Sequence, residues 1–167
     1  KTELQKSGIS PQKLLFTSKR ESSGIFIEVL PKNKYNLFGL SNISQDAFHV
    51  HASNSSLYIA AASVNGLRNG VYWYLQQLGF RYYYPNPVWY YVPILQSPFI
   101  NIQKTVEPSF TSRRIWYAYG TGSKQADKDY QKWFEANLLG GEVINAGHAY
   151  EAIVNRNKAA FEQHPEY

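Results

Sequence analysis

The stretch from Leu57 to Gly79, LYIAAASVNGLRNGVYWYLQQLG, constrains the fold of this chain more than any other. Its first six residues form a continuous apolar run, which reads as a buried strand. Ser63 then stands where a hydroxyl can accept from the open N–H groups of a helix's first turn. From Asn65 the apolar positions are Leu67, Val71, Tyr74, Leu75 and Leu78, a spacing that predicts a helix over 65–78 with this face buried. Gly79 follows the last of them, where a left-handed C-cap favours glycine. Gly66 and Gly70 lie four apart on the helix, which costs helix propensity but lets the backbone approach a sheet closely. That pattern predicts a close-packed helix rather than a phosphate loop.

The flanking sequence supplies partners for such a helix. Asp46–Ala52 (DAFHVHA) and Leu57–Ala62 are separated by the polar run SNSS, which predicts a β-hairpin. Lys13–Thr17 (KLLFT) and Gly24–Leu30 (GIFIEVL), the latter closed by Pro31, also read as strands. Pro85, Pro87 and Pro93 break the next region into turns and short extended pieces. Phe99–Val106 alternates with period two, another strand. Glu107-Pro108 marks a boundary. Past it come a strand candidate at Phe110–Tyr119, a loop at Gly120–Ser123, and an amphipathic helix at Lys128–Leu139 that ends at Gly140-Gly141. A short strand at Glu142–Asn145 closes the series. A β-α-β order predicts parallel pairing in this second part. The fold class expected is therefore α+β. Residues 1–107 form a mixed or antiparallel sheet with helix 65–78 packed on one face, and residues 108–167 form a second unit.

Composition narrows the chemistry. The chain of 167 residues has room for one domain, or one domain and part of another. It has no cysteine, which excludes disulfides, thiolate metal sites and a cysteine nucleophile. It has no run of 18 apolar residues, so no transmembrane helix is expected. Lys1–Ser10 is polar and does not read as a signal peptide, and with no methionine anywhere the chain reads as a processed or excised piece. The net charge of +5 invites a nucleic-acid partner, but its distribution argues against one. Residues 1–34 hold seven Lys/Arg against three Asp/Glu, whereas the rest hold ten against nine. No basic stripe interleaves with the aromatic residues, so the expected electrostatic footprint is missing.

Few constellations carry chemistry. Ten of the 27 aromatic residues fall between Tyr72 and Tyr91. They could form a platform on which sugar rings stack, or pack a seam between two domains with their polar tips at its rim. His49 and His51 share a strand face, but no third ligand completes a zinc site. His148 follows a predicted strand, where it is either a strand-end polar group or a ligand contact; His164-Pro165-Glu166 reads as a turn. Asp127 and Asp129 suit a helix start. No GxGxxG, Walker, zinc or Ser-His-Asp pattern is present, no pair of carboxylates stands out, and no cofactor is expected.

Two motifs carry a family resemblance. Gly70, Tyr72, Tyr74, Leu75, Leu78 and Gly79, followed by Arg81-Tyr82 and later Val92-Pro93, fit the pattern G-x-Y-x-F/Y-L-x-x-L-G of a known module. It resembles the β-N-acetylhexosaminidase domain-2-like module, which also precedes α-glucuronidase barrels, and within that group the bacterial DUF4838-type proteins. Pro108-Ser109-Phe110-Thr111-Ser112-Arg113 resembles the P-x-F-x-x-R that opens the first strand of the (β/α)8 barrel. His148-Ala149-Tyr150 and His164-Pro165-Glu166-Tyr167 resemble the H-S/A-Y/F and HPEY pieces of the same proteins.

The resemblance, over roughly residues 24–167, implies a non-catalytic accessory domain at 1–107 and the first βα units of an incomplete barrel at 108–167. The parent would be an exported bacterial glycoside hydrolase acting on a complex glycan, with its catalytic acids on later strands. Arg113 would contact sugar hydroxyls, although Arg114 stands where the family has glycine, and His148 and Tyr150 would join it as substrate-binding residues. The alternative is that Arg113 or Arg114 makes an ion pair with a carboxylate at the domain seam. The expected partners are a glycan and the downstream barrel. The rival functional reading is a stand-alone carbohydrate-binding or protein-interaction domain that uses the Tyr-rich surface.

Overall fold

A computed structural model describes residues 2–10, 23–115, 123–141 and 150–166 of the chain. In chain order the elements are α1 (Thr2–Lys6), β1 (Gly24–Val29), a 3-10 turn (Lys32–Phe38), β2 (Phe48–Ala52), β3 (Ser56–Ala61) and α2 (Val64–Gln77). There follow β4 (Arg81–Tyr82), β5 (Tyr90–Tyr91), β6 (Ile102–Val106), β7 (Ser112–Arg113), α3 (Lys124–Ala136), β8 (Gly140–Gly141), α4 (Tyr150–Arg156) and α5 (Lys158–Gln163).

The hairpin forms where the polar SNSS run places it. β2 and β3 pair antiparallel with Val50 opposite Ile59. β1 joins the outer edge of β3 in parallel, Ile27 opposite Ile59, and β6 joins β2 antiparallel, Val50 opposite Lys104. The result is a mixed four-stranded sheet of order β1-β3-β2-β6. Period two puts Phe48, Val50, Leu57, Ile59 and Ala61 on one face. All five are buried there against Tyr74, Leu75, Leu78 and Phe80. The opposite face is covered by the 3-10 turn and its flanks, where Leu30, Leu40, Ala47 and Ala60 cluster with Tyr35, Phe38, Ile43 and Tyr58.

Helix α2 is capped as its sequence predicts. Ser63 Oγ accepts from the Gly66 N–H at 3.0 Å and donates to the Gln45 carbonyl at 2.6 Å. Gly79 takes φ +100°, the left-handed conformation that ends the helix. The buried face is shifted from the one expected. Tyr74, Leu75 and Leu78 are buried, but Leu67 and Val71 are only half-buried, and the deepest positions of the early turns are Gly66, Asn69 and Gly70. The helix runs so close to the sheet that a Cβ on Gly70 would lie 2.6 Å from Ile59 Cγ2, and one on Gly66 2.8 Å from Ala61 Cβ.

Other boundaries move for local reasons. β6 starts at Ile102 rather than Phe99, because residues 99–101 follow Pro98 without sheet pairing. α3 begins at Lys124, four residues before the expected start, since Ser123 Oγ accepts from the Ala126 N–H at 3.3 Å. The second part departs most from expectation. Within the described residues the strand expected at 110–119 reduces to β7, and its partner is β8, antiparallel, with Ser112 opposite Gly141. The chain reverses after α3 through Leu138, a non-glycine residue at φ +59°, and so meets β7 head to tail. The strands expected at Lys13–Thr17 and Glu142–Asn145 lie outside the described residues. Among those described, no helix is long and apolar enough to cross a membrane.

Candidate functional site

β7 delivers Arg113 to the seam between the sheet and the α3–β8 segment. Its Nη2 donates to Asp46 Oδ2 at 2.6 Å, its Nε to the Leu138 carbonyl at 3.0 Å and its Nη1 to the Phe110 carbonyl at 2.8 Å. Both side chains of the ion pair are largely buried, 14% and 15% exposed. Asp46 is itself held from α2, because the buried Asn69 donates its Nδ2 to the Asp46 carbonyl at 3.1 Å. Of the two roles the sequence left open for Arg113, this geometry is that of the seam ion pair. A guanidinium has five donors in a fixed fork, and here the fork is spread over three acceptors of the chain itself.

Further polar contacts continue the seam. Arg68 Nη1 lies 3.5 Å from Glu135 Oε1, Gln76 Nε2 donates to the Ala136 carbonyl at 2.8 Å, and Asn137 Nδ2 donates to the Tyr82 carbonyl at 3.0 Å. Lys132 Nζ reaches Glu3 Oε1 at 2.7 Å and sits 5.2 Å from the centre of the Tyr90 ring. α3 is thereby tied to α1, α2 and the β4–β5 ribbon.

The aromatic stretch divides into two populations. Tyr72, Tyr82 and Tyr90 turn inward and pack edge to face, with ring centres 5.9 Å and 5.1 Å apart. Tyr74 donates its hydroxyl to the Pro98 carbonyl at 2.9 Å and accepts from the Ile100 N–H at 3.2 Å. Burial is the main force raising the phenol pKa values of all four. The nearby Glu3 carboxylate raises Tyr82 further, and Tyr90 is pushed up to about 12 by burial and then by Asp129. These hydroxyls stay protonated at neutral pH and can donate but not act as bases. Tyr83, Trp89 and Tyr91 form the second population, 67%, 59% and 56% exposed.

The described histidines are placed differently. Thr105 donates its hydroxyl to the Phe38 carbonyl at 2.8 Å, so it must accept from His49 Nδ1, also at 2.8 Å. That fixes the proton on Nδ1. Burial, and then the neighbouring His51, lower the His49 pKa. His51 is exposed. Among the described residues no group of three or more His, Asp or Glu could hold a metal ion. His164 Nδ1 pairs with Glu166 Oε1 at 3.0 Å on the surface, as a turn would allow. Tyr150 opens α4 and is 86% exposed, and among the described residues no hydrogen bond joins it to Arg113. His148 lies outside the described residues. Asp129 accepts from Gln125 Nε2 at 2.9 Å, and Asp127 occupies the first turn of α3.

The seam residues Asp46, Arg68, Asn69 and Glu135 carried no motif, and each lies far along the chain from its partner. Comparison with protein-family models, with curated proteins and with solved structures finds no match for the chain.

Proposed function

We propose that the chain is a non-catalytic accessory α+β module, 1–107, joined to the start of a barrel, 108–167, which it braces, in an exported bacterial glycoside hydrolase acting on complex glycans. The observation that supports the reading is the seam. Where the sequence resembles the opening of a barrel, Arg113 is clamped to Asp46, and α3 is bound back onto α2 by the Arg68–Glu135 pair and the Gln76–Ala136 contact. In this reading Arg113 positions the barrel start and is not a sugar ligand. Tyr150, exposed at the start of α4, and His148 beside it in sequence keep the substrate-binding role that the resemblance implies. Hydrolysis needs two carboxyl groups roughly 5–10 Å apart, and in this reading they lie on later strands.

Two measurements test the proposal. The reading frame beyond Tyr167 is expected to continue for several hundred residues with Asp or Glu at strand ends; a stop codon soon after Tyr167 overturns it. The purified 167-residue chain is expected to hydrolyse no aryl glycoside. Turnover that vanishes on mutating an Asp or Glu within it would place the chemistry here instead.

A further inference from the structure

We infer that the outward face of the β4–β5 ribbon is a binding platform for a neutral polysaccharide, a role separate from bracing and independent of whether a barrel follows. The ribbon pairs Arg81 with Tyr91 and Tyr82 with Tyr90. The same register continues one step further, since the Tyr83 N–H donates to the Trp89 carbonyl at 3.3 Å. Alternation sends Tyr82 and Tyr90 into the seam, so Arg81 and Tyr91 form one outward pair and Tyr83 and Trp89 the next. Two successive pairs on one strand face stand about 7 Å apart, room for adjacent pyranose rings to lay their C–H faces on aromatic faces.

The platform is built rather than incidental. Trp89 ends a short turn fixed by the Asn86 side chain, whose Oδ1 accepts from the Val88 N–H at 3.0 Å, and by the Trp89 N–H donating to the Asn86 carbonyl at 2.9 Å. The Tyr84 ring meets the Trp89 ring edge-on, centres 6.3 Å apart. Arg81 Nη1 donates to the Gln76 and Phe80 carbonyls, both at 2.7 Å, which anchors the guanidinium to the end of α2. That uses two of its five donors; among the described residues the other three have no partner and can serve sugar hydroxyls. Rigid aromatic anchors bind without a large ordering cost.

Charge and side-chain type select the occupant. From residue 80 to residue 100 the only charged side chain is Arg81. The ribbon's own side chains therefore repel no neutral chain, and the open Arg81 donors can reach its hydroxyls. Another exposed apolar region among the described residues lies over β1, a trough of about 300 Å3 walled by Ile25, Ile27, Val71, Leu75 and Pro98. It is mostly aliphatic and offers no comparable row of exposed rings, whereas the ribbon presents rings with polar tips.

The test is affinity electrophoresis of the 167-residue chain through gels containing barley β-glucan, xylan or galactomannan. Retardation is expected in at least one gel, and Trp89→Ala and Tyr83→Ala should each weaken it about tenfold, the scale of a buried aromatic anchor. Leu37→Ala, an exposed apolar side chain elsewhere, should leave it unchanged. Circular dichroism of each variant checks folding, which these exposed positions should not disturb. The inference fails if no gel retards the wild type, or if folded Trp89→Ala is retarded equally. It fails too if the wild type self-associates without binding polysaccharide and Trp89→Ala restores the monomer, which would make the face a protein interface.

Discussion

Replacing Arg113 by lysine separates a clamp from a sugar ligand. A lysine ammonium can still approach Asp46, but it cannot also reach the Leu138 and Phe110 carbonyls in the geometry of a planar fork. A hydrogen bond to a charged group contributes about 1.5–3 kcal/mol. The bond to Phe110 is exposed and counts least, while the bond to Leu138 is partly buried and counts most. The expected loss is therefore about 2–3 kcal/mol, which in a chain of this size lowers the melting temperature by roughly 5–10 °C. Asp46→Asn leaves the guanidinium without its counter-charge in a largely buried place and should cost about as much or more. A double-mutant cycle on thermal melts followed by circular dichroism measures the coupling. The double variant should lose much less than the sum of the two single losses, since both report on one interaction. If Arg113→Lys melts within about 1 °C of the wild type, the clamp contributes little and the reasoning fails.

Three further outcomes follow from the core. Gly70→Ala gains roughly 1 kcal/mol of helix propensity, but its Cβ would lie 2.6 Å from Ile59 Cγ2 and 3.2 Å from the Phe48 ring; urea unfolding should show a net loss of about 1–3 kcal/mol. Leu75→Ala should cost about 2–5 kcal/mol in the same assay, because the side chain is buried in the main core. The third concerns pH. Burial and then His51 hold the His49 pKa below the ordinary histidine value of 6.5, so its contribution is complete above that value and is lost as pH falls through the lower folded-state pKa. Melting temperatures measured from pH 7.5 down to pH 5 should fall less steeply in His49→Gln than in the wild type.

The legible parts of the sequence are those whose cause is local. The β2–β3 hairpin and α2 follow from a polar loop, a cap, a four-residue apolar spacing and a terminal glycine, each acting within a few residues. The start of α3 leaves little trace in the sequence, because its first turn, Lys124–Asp127, is mostly polar and offers no apolar period; only Ser123 announces it. β8 is two glycines, which carry no strand preference, so its antiparallel union with β7 had no signal. The seam was legible only as a choice between two roles for Arg113. Asp46 reads as the opening of a strand, and nothing near it in sequence points to an arginine on β7. The division of the tyrosines was hidden for another reason. Alternation along β4 and β5 decides it, and two-residue strands among prolines show no period.

The order of strands in the sheet also sets an order of assembly. β2, β3 and α2 are consecutive in sequence and mutually packed, so they can form with little loop closure. β1 must find β3 across the 3-10 turn and β2, and β6 must return past α2 and the ribbon to reach β2. Each pays a larger closure entropy before its contacts form. The hairpin and helix should therefore form the folding nucleus, with φ-values high at Val50, Ile59 and Leu75 and low at Ile27 and Ile102. In native-state hydrogen exchange the amides of β1 and β6 should open at lower free energy than those of β3, which is paired on both sides.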